Sequence, residues 1–342
     1  MSTNFKRFLA TLLSLICCIT TGTHIVTAKH SVVNTTTKTA KSASMISGLF
    51  NLIKNANKDK FCETAANENT IKVFFHKEAA IKEVSLEEYI KGVLYGEMPS
   101  SYSLEALKAQ AVAARTYTVY RIRNGSTHRN GADICTDYTH CQAWTAGSAE
   151  TPYPEAIERA VEETKNTICT YNGECINAMY FSNSGGATEA IENVWGGREI
   201  PYLKSVASPG ESVFYDFCQV KTYSYDEFAA AVDSYFDNDA DIDVEVGIKN
   251  IQNIKRSPAG RIISAEIGGI TSTGLQIRAM FSLRSSNVYF SQDGSTISIV
   301  ALGYGHGVGM SQCGAQAMAE NGADWVEILK HYYTGIDISL LC

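Results

Sequence analysis

The chain has 342 residues, 45% of them hydrophobic and 19% charged, with 26 Gly, 18 Tyr and only 6 Pro. It is long enough for about two domains around a sizeable core, and its composition excludes a largely disordered or fibrous chain. A formal net charge of −7, with no basic stripe interleaved with aromatics, argues against nucleic acid as a partner.

At the amino end, Lys6 and Arg7 precede the apolar run Phe8–Ile19, and weakly apolar, Thr-rich sequence continues to Val26. Residues 1–27 therefore read as a cleaved export signal or a single membrane span. The basic residues before the apolar run place the amino end in the cytoplasm and the bulk of the chain outside it. Cys17-Cys18 does not make a lipidation site, because Ile16 is wrong for cleavage. Residues 28–69 are polar and read as a stalk, with a short helical pattern over 46–53. Residues 70–342 form the ectodomain.

Ile71–Phe75 and Ala80–Val84 have the pattern of two short strands leading into a helix. Ser85 with Glu88 three residues on resembles a capping box. At ~100° per residue, Leu86, Tyr89, Ile90, Val93 and Leu94 share one face. Glu97 falls in the middle of that face, whereas Glu87, Glu88 and Lys91 lie away from it. A carboxyl group there is either a solvated end of a fraying turn or a desolvated acid with a raised pKa, which a general acid needs near neutral pH. After Met98-Pro99, a second helix runs from Ser103 to about Asn124, stopped by Gly125. Its alanines allow close approach of neighbours. Arg115 shares a face with Leu104, Ala111, Val112, Val119 and Ile122, so it needs an anionic partner or a polar cleft, or else snorkels to the surface.

Residues 126–150 are a polar loop carrying His128, Cys135, His140 and Cys141. Thiolate and imidazole are the ligands of tetrahedral zinc. Four ligands make a closed structural site; three, Cys135, His140 and Cys141, leave a position open, with Asp137 as a spare. Pro154–Lys165 is helical, and Asn172-Gly173 marks a hairpin flanked by Cys169 and Cys175. In such a turn these two cysteines are diagonal, so a bond between them is not expected. Cys62, Cys218, Cys313 and Cys342 show no readable pairing. Ile176–Phe181 reads as a strand and Tyr223–Asp237 as a helix.

From about 240 to 300 the pattern alternates in a β-rich fashion, at residues 244–246, Ile262–Ile267, Gln276–Arg278 and Val288–Phe290, and suggests a smaller subdomain. The chain closes with a Gly-rich segment around His306 and two short helical patterns, the last opened by Asp324 and Glu327. The Gly-rich segment is not a phosphate-binding loop. Its glycines let backbone line a cleft, with His306 either a substrate contact or structural. Ser184 with His306 lacks the G-x-S-x-G elbow of a triad hydrolase. The fold class is α+β, with a helical region, antiparallel strands and the β-rich subdomain.

Taken together, Tyr95–Pro99, Lys108–Tyr117, Phe181–Gly186, Val194–Gly197, Pro201–Val206 and Gly305–Gln312 resemble, in order, the motifs of the stage II sporulation protein D family, over roughly residues 70 to 340. The resemblance implies a membrane-anchored lytic transglycosylase of the septal and forespore-engulfing membrane. Such enzymes cleave the MurNAc–GlcNAc bond of peptidoglycan strands to give 1,6-anhydro ends. It implies strands stripped of stem peptides by a partner amidase of the stage II sporulation protein P type. Glu97 matches the family's catalytic glutamate, and Arg115, Tyr202 and Lys204 match residues implicated in activity. Cys135, His140 and Cys141 match the metal loop of clostridial members, and spacing adds His128. Two other readings stay open: a zinc-dependent wall hydrolase, and a non-catalytic glycan-binding partner of the amidase.

Overall fold

The computed structural model describes residues 69–125, 128, 131–148, 150–237 and 247–341. The expected signal or anchor, the stalk, Cys62, Cys342 and the 244–246 pattern lie outside them. Among the described residues there are eight α-helices and fourteen strands in small, mostly antiparallel sheets, an α+β fold. No helix among them is long and apolar enough to cross a membrane.

The strands β1 (Thr70–Phe75) and β2 (Ala80–Ser85) form an antiparallel hairpin that alternates buried and exposed on β1. The hairpin feeds α1 (Leu86–Glu97), whose N-cap Ser85 accepts from the Glu88 N–H at 3.2 Å. The helix α2 (Leu104–Arg123) is the central post of the larger core. Ala106, Ala109, Ala111, Ala113 and Ala114 are all buried, and their small size lets neighbours close in around the helix. Around it stand α1, α3 (Pro154–Glu163), α7 (Gln312–Glu320) and α8 (Trp325–Tyr332).

The polar 126–150 loop is not wholly irregular. Its β3 (Ile134–Cys135) pairs parallel with β1, in register Phe74 with Cys135, and so hangs the loop on the sheet edge. β4 (Thr167–Tyr171) pairs with β5 (Glu174–Cys175) through the Asn172-Gly173 turn. Cys175 faces Thr170 rather than Cys169, and all six described cysteines are free thiols. The strand read over 176–181 shrinks to β6 (Tyr180–Phe181), which pairs parallel with β13 (Met310–Ser311). Between them lies the short α4 (Ile191–Trp195).

A second apolar core unites β7 (Cys218–Ser224), α5 (Tyr225–Tyr235), β8 (Ile251–Arg256), β9 (Ile262–Ile267), with β10 (Ile270–Thr273) paired to it, α6 (Gly274–Met280), β11 (Val288–Asp293) and β12 (Thr296–Leu302). Phe228 stacks on Phe281 at 5.2 Å in its centre. The Gln276–Arg278 strand pattern is wrong here: those residues are in α6. Thr273 and Gln276 form a reciprocal capping box that starts a helix before alternation can extend a strand. β14 (Asp337–Leu340) closes the chain against β4.

Near the junction of β13 and α7, the buried Glu211 gathers donors from four directions. It accepts from the Ser184 N–H at 3.1 Å, the Ser184 hydroxyl at 2.5 Å, the Gly186 N–H at 3.2 Å, and the hydroxyls of Ser208 and Ser311. Gly314 in the first turn of α7 leaves the space: a Cβ there would overlap the Tyr332 and Ser208 hydroxyls. Gly314→Ala should therefore cost about 2–3 kcal/mol and lower the midpoint of thermal unfolding by roughly 5–10 °C. An unchanged melting curve would refute this packing.

Candidate active site

α1 stops on Glu97 because Met98 is extended, at φ −129° and ψ 143°, before Pro99. The carboxylate thus lies at the negative end of the helix, with no basic residue in the last turn. Burial raises its pKa above the ordinary carboxylate range, and hydrogen bonds from Ala143 and Gln312 oppose that rise without cancelling it; the nearby Tyr180 hydroxyl donates to Gln142 Oε1 at 2.8 Å. The Ala143 N–H donates to Oε1 at 2.7 Å, and Gln312 Nε2 donates to Oε2 at 3.3 Å.

Ala143 reaches Glu97 because α1 carries glycines one turn apart. A Cβ on Gly96 would come within 2.8 Å of the Ala143 carbonyl carbon and the Trp144 nitrogen, and one on Gly92 would overlap the Trp144 indole. The bare strip lets residues 143–145 lie along the helix, with the Thr145 N–H donating to the Gly92 carbonyl at 3.0 Å. Trp144 then packs edge-on against Phe75 at 4.9 Å.

Glu97 opens on a cavity of about 560 Å³. One wall is the loop from Tyr138 to Ala143; another is Met179–Ser182 with Tyr304–His306 and Gln312. Among its described lining residues Glu97 is the one acidic side chain. Exposed Tyr138 and Tyr304 offer rings at the rim.

The metal candidates converge on this wall. Their four donor atoms all lie within 4.8 Å of one another. Cys135 Sγ is 3.7 Å from His140 Nδ1, His140 Nδ1 is 3.2 Å from Cys141 Sγ, and Cys141 Sγ is 3.5 Å from His128 Nε2. A tetrahedral ion with nitrogen and sulfur bonds of about 2.0–2.3 Å has edges of roughly 3.5 Å, so the set fits such an ion. The Cys141 hydrogen bond, with help from His128, holds the Cys135 thiol down to about 5; the Cys135 thiolate and burial push Cys141 up. Burial lowers the His128 pKa, favouring the neutral ring a ligand must have. Asp137 is committed to the Thr139 N–H and hydroxyl at 2.9 and 2.7 Å.

His306 also lines the cavity. Burial, then the charges of Arg261 and Arg278, lower its pKa to about 4. Its Nδ1 accepts from the Val308 N–H at 3.1 Å. The neutral ring packs between Phe181 and Trp195, at 5.4 and 5.2 Å.

Three other candidates are not brought to this cavity. Arg115 is fully buried on the other side of α2 and grips Glu87, with Nη2 and Nε at 2.5 and 2.9 Å from its oxygens. Thr167 and Val161 carbonyls take its remaining donors. Neither snorkelling nor a polar cleft describes it; it has the anionic partner. Arg115→Met should cost about 3 kcal/mol by stranding the Glu87 charge, with activity per folded molecule retained; a loss of turnover without loss of stability would overturn this structural role. Tyr202 accepts from the Asn177 N–H at 3.1 Å and packs on Tyr171 at 5.6 Å. Lys204 pairs with Glu199 at 3.0 Å on the surface. Ser184, donating to Glu211, forms no triad. Gln312, Tyr180 and the two α1 glycines were not singled out by spacing. A small-residue i, i+4 pair just before an acid is the signal that marks the last.

A family model described as Stage II sporulation protein matches residues 75–171. The chain is 35% identical over 294 residues to Stage II sporulation protein D of Bacillus amyloliquefaciens, which covers 81% of this chain and 83% of the relative. It is 34% identical over 283 residues to Stage II sporulation protein D of Bacillus subtilis (strain 168), covering 80% of each. It is also 32% identical over 298 residues to the Amidase enhancer of Bacillus subtilis (strain 168), covering 73% of this chain and 40% of that protein.

Proposed function

The chain belongs to the stage II sporulation protein D family, a sporulation family, and from that premise we propose that it is a lytic transglycosylase acting on peptidoglycan during septal remodelling and engulfment. The observation that carries this reading is the single, desolvated carboxyl group of the cleft. Glycoside hydrolysis ordinarily needs two carboxylates, one for the leaving group and one for water or the sugar. A lytic transglycosylase needs only one.

Glu97, protonated, gives its proton to the glycosidic oxygen as the bond to the muramic anomeric carbon breaks. The C6 hydroxyl of the same muramic residue attacks that carbon, and the Glu97 carboxylate takes the hydroxyl proton. A 1,6-anhydro end and a free GlcNAc hydroxyl result; Glu97 is regenerated and no water is consumed. Ala143 and Gln312 orient the carboxyl group by donating to its two oxygens.

The Cys/His cluster is read as a zinc site held by His128, Cys135, His140 and Cys141. Four ligands fill a tetrahedron, which supports a structural ion over a zinc hydrolase. The ion would fix the loop that delivers Ala143. The relative named Amidase enhancer supports a partnership with a wall amidase. An anchor in residues 1–27 would hold the enzyme on the outer face of the membrane.

The deciding experiment digests peptide-stripped strands in heavy-oxygen water. Anhydro ends free of the label are expected; labelled reducing ends would mean hydrolysis, and uncleaved but bound strands would mean a binding partner.

A further inference from the structure

Across the cleft from Glu97, Tyr304 is 42% exposed. The Arg284 guanidinium lies over its ring, with Cζ 5.4 Å from the centroid, and at the same 5.4 Å from the ring of Tyr215. Tyr215 is 85% exposed. The Arg284 backbone is fixed by the Gln219 side chain and the Gly305 N–H. Its guanidinium makes no hydrogen bond or ion pair with any described residue. Two rings thus hold the fork while leaving its N–H edges unspent.

Two more guanidinium groups, Arg261 and Arg278, lie close enough to act on His306 of the cleft. Arg278 Nε donates to the Leu283 carbonyl at 3.2 Å. Arg261, 2% exposed, donates from Nη2 to the Ser184 carbonyl at 3.1 Å, while Nε and Nη1 have no partner. Gly307, at φ +90°, leaves the room that this guanidinium occupies. No described carboxylate pairs with any of the three. The acids nearest Arg261 are engaged elsewhere: Glu189 by Ala190, Asn193 and Ser257, and Glu211 by its serines and Gly186. Glu189 and Glu211 still offset the Arg261 charge, so Arg284, over the Tyr304 ring at the cleft rim, is the guanidinium left without an acid or a hydrogen-bond partner among the described residues.

We infer that this side of the cleft is a subsite for a carboxylate carried by the glycan, with Arg284 as the cation that binds it, and that the carboxylate is the lactyl group of a muramic residue whose stem peptide has been removed. The inference rests on the glycan reading above. In a peptide-bearing strand that carboxylate is tied up in an amide and carries no charge. Removing the peptide frees the charge, and a planar guanidinium reads a carboxylate in two parallel hydrogen bonds. Tyr215 and Tyr304 present ring faces on which sugar can lie. Arg115 is buried against Glu87, and neither it nor Lys204 lines the cleft.

The test uses the full chain carrying Glu97→Gln, so that strands bind without turnover. Binding is measured to three glycans of equal length: peptide-stripped strands, the same strands with lactyl carboxylates converted to methyl esters, and peptide-bearing strands. Stripped strands should bind about tenfold more tightly than esterified ones. Adding Arg284→Gln should erase that difference and leave binding of the ester within about twofold. Its thermal midpoint should fall by no more than about 5 °C, because the guanidinium makes only the two ring contacts and no hydrogen bond in the fold. Peptide-bearing strands should bind no better than the ester; equal binding of stripped and peptide-bearing strands would assign the carboxylate to the peptide and overturn the inference. Equal affinity for acid and ester, or an equal loss of both on Arg284→Gln, would overturn it too. If none of the three glycans binds, the glycan reading itself has failed.

Discussion

Glu97→Gln should lower kcat on peptide-stripped strands by about 10²- to 10⁴-fold while strand affinity stays within about twofold, because the amide keeps the shape and loses only the proton. The pH profile follows from the same group. Burial, reinforced by the end of α1, raises the Glu97 pKa, so its acid form survives to higher pH than that of an exposed glutamate. The kcat/KM should therefore fall as pH rises through that pKa. The stability of the fold carries the same sign. A carboxyl whose folded pKa lies above its unfolded value stabilises the fold fully below the unfolded value, and that contribution is lost as pH rises through the folded one. Glu97→Gln should thus melt at a higher temperature than the parent near pH 7 and at the parent's temperature near pH 4. A variant that is inactive yet no more stable at neutral pH would mean that the carboxylate is not desolvated.

Removing the zinc proposed for the Cys/His cluster should be the largest perturbation of stability. Chelation, or Cys141→Ser, should cost roughly 5 kcal/mol and lower the thermal midpoint by about 10–20 °C. Without the ion the loop loses the bonds that would tie His128, Cys135, His140 and Cys141 together, and the Cys135 thiolate is left without a cation. Because thiols and imidazoles must be deprotonated to bind, acid should release the ion, with proton uptake, before the rest of the fold melts. Metal content, melting and turnover measured on one sample separate the cases. Turnover that follows the folded fraction makes the ion structural; a folded, metal-free and inactive protein would restore the zinc hydrolase reading; unchanged melting would show that the loop needs no ion.

Helical phase put Glu97 on the face of Leu86, Tyr89, Ile90, Val93 and Leu94, which are all buried, but could not tell a solvated last turn from a desolvated acid, because the Ala143 and Gln312 donors lie far along the chain. The Cys/His loop was legible because all four residues fall within fourteen positions, so chain connectivity keeps them close. Partners distant in sequence were not. Glu87 reads as solvent-facing on α1, yet it meets Arg115, 28 residues later, and the Asn166 N–H at 3.1 Å. α6 was misread because residue alternation was weighed ahead of the Thr273–Gln276 cap. Of β7 and β14, β14 has only four residues and pairs with a strand far away in sequence, a contact that local pattern does not carry. Arg284 carries no motif; only folding of the second core sets it between two tyrosines at the cleft mouth.

Gly92 and Gly96 change how a mutational scan of α1 should be interpreted. Alanine is the customary blank, a residue that takes away contacts and adds none. On this helix it is the reverse: each alanine inserts a methyl where the Trp144 ring or the Ala143 backbone already lies. The donor to Glu97 is positioned by two vacancies, so the positions with least chemistry to lose are those where a blank does most harm. Seen this way, the hydrogen that holds Glu97 is specified by atoms the sequence leaves out.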